Sequence, residues 1–222
     1  MVHRYRAGKR RTPPALWLLG ALLLVSSALL AGCGSTASTA PNDANAVFDL
    51  PTEGTPIEPP LELTDVTLTS HEGTPLSLSD LQGGPVLLYF GYTFCPDICP
   101  TTLAEMVQVR RELGEQADEV AFVFVSVDPE RDTPEVLQRH LSAFDEAFIG
   151  LSGDEVTLSK ISGEYGLFYE KRSVEGTSAK YLIDHTTKSY LIGSDGKLHM
   201  IYSYGMPADV IAADIRAMLE EG

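Results

Sequence analysis

The chain of 222 residues holds only three cysteines. That is too few for a disulfide scaffold, and a chain of this length can bury a core without one. Basic residues are scarce beyond the first 33 positions. Arg4, Arg6, Lys9, Arg10 and Arg11 all precede an apolar run, in a leader that contains no Asp or Glu. The remainder carries 11 basic and 31 acidic residues, a net charge of −20. Such a surface repels phosphate backbones and argues against nucleic acid as a partner. The same acid keeps an exported domain soluble, and it favours cationic partners or metal ions. Internal repeats are absent, and so is a phosphate-binding glycine loop. Gly83-Gly84 is a turn before a strand, not a cradle before a helix.

The leader reads as an address. A basic stretch is followed by the apolar run from Ala15 to Leu30 and then by Leu30-Ala31-Gly32-Cys33. The run falls short of the ~20 residues of a spanning helix, and small residues stand at the cut site, as in a secretory signal. Thr12-Pro13-Pro14 after Arg10-Arg11 fits a twin-arginine signal poorly, so the general secretory route is expected. Leu-Ala-Gly-Cys resembles a bacterial lipobox, which implies lipidation of Cys33 and a membrane anchor. Acyl chains contribute about 0.8 kcal/mol per buried CH₂, so several hold firmly. Residues 1–33 are thus expected as a lipoprotein signal and 34–60, rich in Ser, Thr, Ala, Asn and Pro, as a flexible linker. Residues 61–222 are expected as one domain.

Within that domain, Leu61 to Thr69 alternates apolar and polar, as a half-buried strand does. Pro85 to Gly91 and Val120 to Val127 are continuous apolar runs, the mark of central strands covered on both faces. Helices are expected from Thr101 to Leu113, after Thr133-Pro134, from Asp154 to Tyr165, and from Pro207 to Glu221. Phe168 to Tyr181 reads as an irregular hairpin. Ser189 to Gly193 and Leu198 to Ser203 read as strands joined by a Ser194-Asp195-Gly196-Lys197 turn. Strand–helix alternation followed by a hairpin and a helix predicts an α/β domain with a central mixed sheet.

Chemistry concentrates in Cys95-Pro96-Asp97-Ile98-Cys99. The pair lies between a buried strand and a helix. If the helix starts inside the segment, the two sulfurs share a face. A helix N-terminus also stabilises thiolate, the form that binds metal and attacks disulfides. Two thiolates suit Cu(I) or zinc. Two ligands alone would discriminate poorly. The candidates for a third are His71, His140, His185 and His199, and spacing alone leaves that choice open. His71 reads as a solvated turn residue, His140 as part of an ordinary surface helix and His199 as structural. His185 lies in Ile183-Asp184-His185-Thr186-Thr187, in a loop beside a core strand, where sites are built.

Three segments together resemble the Sco/SenC family of copper chaperones. They are Tyr92-Thr93-Phe94-Cys95-Pro96-Asp97-Ile98-Cys99-Pro100, Ser126-Val127-Asp128-Pro129-Glu130-Arg131-Asp132-Thr133-Pro134, and Asp184-His185-Thr186 leading into Tyr190-Leu191-Ile192. The likeness runs from about Leu61 to Met218. It implies a thioredoxin-like fold and one copper per monomer on Cys95, Cys99 and His185. It also implies a role either delivering copper to the binuclear site of cytochrome c oxidase or keeping that site's thiols reduced, and the lipobox sets the expected location at the outer face of the cell membrane. The expected partners are the oxidase subunit that holds the copper site and a copper donor chaperone. Thr101 departs from the acidic residue common in the family after Pro100. Asp184 is a candidate acceptor for the imidazole or a solvated carboxylate, and Asp97 is expected to shape the turn. Met200 and Met206 are expected as core filling. Asp128, Glu130, Arg131 and Asp132 are read as a capped, charged turn. Metal transfer needs no turnover, so the chain is not expected to be an enzyme. The alternatives are a thiol–disulfide oxidoreductase using Cys95 and Cys99, and a thiol peroxidase assisted by Arg131. Dedicated oxidoreductases of this fold usually carry Cys-x-x-Cys, whereas three residues intervene here.

Overall fold

The computed structural model describes residues 53–174 and 179–221. The signal segment, Cys33 and most of the expected linker lie outside the described residues. The chain order is β1 (Thr55–Leu61), β2 (Thr67–Ser70), β3 (Pro75–Ser77), β4 (Val86–Gly91), α1 (Ile98–Leu113), β5 (Ala121–Ser126) and α2 (Pro134–Ser142). There follow β6 (Ile149–Ser152), α3 (Glu155–Tyr165), β7 (Tyr169–Ser173), β8 (Tyr181–His185), β9 (Ser189–Ile192), β10 (Leu198–Tyr202) and α4 (Ala208–Glu221).

Eight strands form one mixed sheet in the order β1-β10-β9-β4-β5-β6-β2-β3, while β7 and β8 pair as a separate hairpin. Every residue of β4 is buried, as its unbroken apolar run predicts. It pairs in parallel with β5 and antiparallel with β9. Leu87, Leu88, Tyr89 and Phe90 are fully buried there. Each large apolar side chain so covered contributes about 1.5–3 kcal/mol. The chain leaves β4 at the sheet's centre and enters α1 after a short turn, so Cys95 lies in that turn and Cys99 in the helix that follows it.

Helix ends follow the expected chemistry. Thr133 caps α2 by accepting from the Val136 N–H at 3.4 Å, with Pro134 in the first turn. Asp154 caps α3 by accepting from Thr157 N–H at 2.7 Å, and Gly166 ends it in the left-handed conformation. α1 is longer than predicted. It begins at Ile98, with Asp97 as the N-cap residue, so Cys99 lies in its first turn. Pro100, near a helix start, removes only a donor that has no intrahelical partner.

The N-terminal reading needs correction. β1 lies almost wholly inside the segment expected as linker, and it pairs with β10. Pro56, Pro59 and Pro60 suit it because an edge strand leaves donors unused. The single strand expected from Leu61 to Thr69 is instead split. Leu61 ends β1, and β2 begins at Thr67 beside β6, near the other edge. Period-two alternation persists through the crossover and conceals the break.

The charged turn after β5 leads into the capped start of α2 as expected, and two of its carboxylates, Asp128 and Asp132, are buried. Asp132 accepts from Thr93 N–H at 3.0 Å, from the Thr93 hydroxyl at 2.6 Å and from the Ser126 hydroxyl at 2.6 Å. Burial raises its carboxyl pKa, and the three donors oppose that rise. It thereby ties the loop before Cys95 to the end of β5. Removing it strands buried donors, each costing about 1–3 kcal/mol. Asp132→Ala should therefore lower the urea midpoint by an amount equivalent to about 2–4 kcal/mol. An unchanged midpoint would show that these bonds carry no stability.

Candidate metal centre

Cys95 and Cys99 arrive from β4 and the first turn of α1. Cys95 is half-buried in a turn closed by its own N–H to Tyr92 C=O at 3.2 Å, while Cys99 is completely buried. Both are free thiols. Cys95 Sγ accepts from Cys99 N–H at 3.5 Å, an otherwise orphaned donor of the helix start. Beneath Cys99, the Tyr89 hydroxyl donates to Sγ at 3.6 Å. A Cβ on Gly91 would lie 3.1 Å from that sulfur and 2.8 Å from the Phe124 ring, so glycine makes the close seating possible.

His185 comes from the other side, as the last residue of β8 rather than from a loop. Its Nδ1–H donates to Thr186 C=O at 2.9 Å, which leaves Nε2 with a free lone pair. Nε2 lies 3.4 Å from Cys99 Sγ. Tyr89 and Tyr92 meet the imidazole edge to face, with centroids 6.2 and 5.8 Å away. One ligand atom from each of Cys95, Cys99 and His185 falls within 4.8 Å of the others. Two soft sulfurs with one imidazole suit Cu(I) or zinc, and the nitrogen extends the set to Cu(II).

The two thiols are electrostatically unequal. The side chain of Cys99 and the backbone N–H groups of the turn at Asp97 and Cys99 stabilise the Cys95 thiolate. Led by the Cys99 contact, these hold the Cys95 pKa well below the ordinary thiol value, at about 3, against the opposing effect of burial. The neighbouring Cys95 thiolate, first, and burial, second, push Cys99 up. Asp97 therefore acts through its backbone, as part of the turn.

The remaining candidates are kept apart from this trio. Asp184 does not hold the imidazole. It is exposed and paired with Arg172 at 3.1 Å, and the Thr186 carbonyl takes the role instead. His71 is not solvated on all sides, since its Nδ1 accepts from Gly150 N–H at 2.9 Å and ties the β2–β3 turn to β6. His140 is not an ordinary surface residue. It lies between Phe124 and Phe144, and burial lowers its pKa. His199 bonds Asp195 at 3.0 Å, in keeping with a structural role. Met206 is buried core, and Met200 packs against that core.

Sequence reasoning missed Tyr89, Tyr92 and Thr186. Tyr89 had one legible signal, a hydroxyl inside an otherwise apolar run. The asymmetry of the thiols has a pH signature. A lowered pKa keeps Cys95 as thiolate when pH falls, so iodoacetamide should still label it at a pH of about 5. Cys99 should stay unlabelled until the chain is denatured. Peptide mass mapping checks this. Equal labelling of both, or loss of Cys95 reactivity below about pH 8, would contradict the assignment.

Comparison with known proteins places this geometry in a family. The SCO1/SenC profile matches residues 55–220. The SCO2-like protein RP587 of Rickettsia prowazekii (strain Madrid E) is 30% identical over 203 residues, covering 89% of this chain and 95% of its own. Bradyrhizobium japonicum ScoI, solved with copper bound, is 37% identical with a TM-score of 0.65, over 71% of this chain and 99% of that one. A SCO1/SenC family lipoprotein from Bacillus anthracis str. Ames is 27% identical with a TM-score of 0.64, over 74% and 97%. These neighbours share the thioredoxin-like α/β fold with the described domain. The chain belongs to the SCO1/SenC family.

Proposed function

We propose that this protein carries one copper ion on Cys95, Cys99 and His185 at the outer face of the cell membrane. A lipid on Cys33 tethers it there. It delivers the copper to the binuclear site of cytochrome c oxidase. The observation that carries the reading is the convergence of two sulfurs and one free imidazole nitrogen within 4.8 Å. A solved family member holding copper supports the choice of metal, and a family lipoprotein supports the anchor. Copper is cargo in this scheme. Cys95, half-buried and held as thiolate, is the donor an acceptor can reach, whereas Cys99 and His185 retain the ion during exchange. Among the described residues no helix is long and apolar enough to cross a membrane.

A second reading has its own support. A reachable thiolate beside a buried thiol is the arrangement of a disulfide reductase. Cys95 would attack a disulfide sulfur of the acceptor and release one thiolate. Cys99 would then displace the second thiol and close a Cys95–Cys99 disulfide, leaving two acceptor thiols reduced. That chemistry has no use for His185.

His185→Ala therefore separates the two. It should weaken Cu(II) binding beyond the ~10–100-fold seen when a mere supporting partner of a ligand is lost. The Cys95–Cys99 disulfide should still form. Undiminished Cu(II) affinity in titration would remove the histidine from the ligand set. Transfer of copper, in both redox states, to a purified acceptor domain tests delivery directly. Wild type should load the acceptor, whereas reduction of its thiols without metal transfer would favour the reductase.

A further inference from the structure

The hairpin that carries His185 stands apart from the main sheet. β7 and β8 share ladder bonds only with each other among the described residues, in the register Tyr169 opposite His185. Something other than sheet pairing must set the distance between His185 and the cysteines. Near the imidazole, Phe168 and Thr186 exchange backbone and hydroxyl bonds of 2.9 Å, which fix the base of the hairpin.

The far end is tied to the turn between β5 and α2, and one side chain of that turn makes most of the bonds. Arg131, in the turn between β5 and α2, donates through Nη1 to Ala179 C=O at 2.9 Å and to Tyr181 C=O at 3.0 Å. Its Nε donates to the buried carboxylate of Asp128. The guanidinium carbon stands 3.7 Å from the centre of the Tyr181 ring. The Tyr181 hydroxyl returns to Asp128 at 2.7 Å, and Lys171 of β7 reaches Glu130 at 2.9 Å. The same guanidinium lies 4.9 Å from the Phe94 ring and 5.8 Å from Tyr92, both in the cysteine loop. Arg131 thus touches the hairpin, the turn and the loop at once. A planar fork with several donors suits that task, and lysine could fill only part of it.

We propose that Arg131 is the positioning residue of the centre, a latch that holds the hairpin so that His185 Nε2 meets the two sulfurs. The inference rests on the proposed ligand set. Two thiolates keep Cu(I) without help, whereas Cu(II) depends on the harder nitrogen. Loosening the latch should therefore cost Cu(II) affinity and spare Cu(I).

The test compares full-length wild type with Arg131→Gln, Arg131→Lys and Tyr181→Phe. In the metal-free protein, amides of β7 and β8 should exchange at least about tenfold faster in Arg131→Gln, with β4 and β5 unchanged. With copper added, Cu(II) should bind about tenfold more weakly and lose nitrogen hyperfine structure in its paramagnetic resonance spectrum. Cu(I) affinity should stay within about twofold. Arg131→Lys should restore part of both effects. Tyr181→Phe removes only the hydroxyl bonds and should give a smaller change in the same direction. It carries the test if Arg131→Gln fails to fold. Unchanged hairpin exchange would overturn the latch. Faster exchange with an unchanged Cu(II) spectrum would reduce Arg131 to a structural residue and overturn the positioning role. Exchange in the metal-free protein is independent of the ligand assignment, so failure of that assignment is distinguishable: it appears as His185→Ala binding Cu(II) like wild type.

Discussion

Everything at the centre depends on the seating of Cys99 in the first turn of α1. That turn follows directly from β4, the most deeply buried strand of the sheet. Gly91 lets the sulfur approach, Tyr89 donates to it from below, and its own N–H points at Cys95. Cys95 is positioned relative to this fixed point, and its thiolate draws on donors that the helix start leaves unpaired. A shift of Cys99 by a fraction of a turn would lose the Tyr89 bond, the Cys95 contact and the His185 contact together.

The imidazole is held by a different logic. β8 is outside the main sheet, so the third candidate donor comes from an element that shares no ladder bonds with the strand leading to the cysteines. The trio therefore joins two sulfurs from the turn and helix after β4 with one nitrogen from a separately paired hairpin. The thiols divide similarly. Cys99 is buried, and Cys95 is partly open to a partner. The buried Asp132, gripping Thr93 and Ser126, keeps the open side from drifting.

The sequence was informative where a single physical signal sufficed. Continuous apolar runs marked β4 and β5, and Thr133-Pro134 and Asp154 marked helix starts because capping is local. The cysteine pair was visible from spacing and thiolate chemistry. His185 was visible only as a candidate, because a histidine beside a core strand is not thereby a ligand, and the family resemblance was needed to select it. The charged turn at Asp128 to Asp132 was legible as a turn, but its burial was not, because that depends on partners 39 to 53 residues away along the chain, such as Thr93, Ala179 and Tyr181. The strand at Thr55–Leu61 was hidden by prolines, which a propensity argument counts against any strand but an edge strand tolerates.

The central claim is that one copper ion sits on the two cysteines and the histidine. X-ray absorption at the copper edge of the Cu(II)-loaded full chain tests it most directly. The account predicts a shell containing two sulfur scatterers and an imidazole nitrogen, with the imidazole contribution lost in His185→Ala. A shell of oxygen and nitrogen alone, or an imidazole signal that survives the substitution, would contradict it.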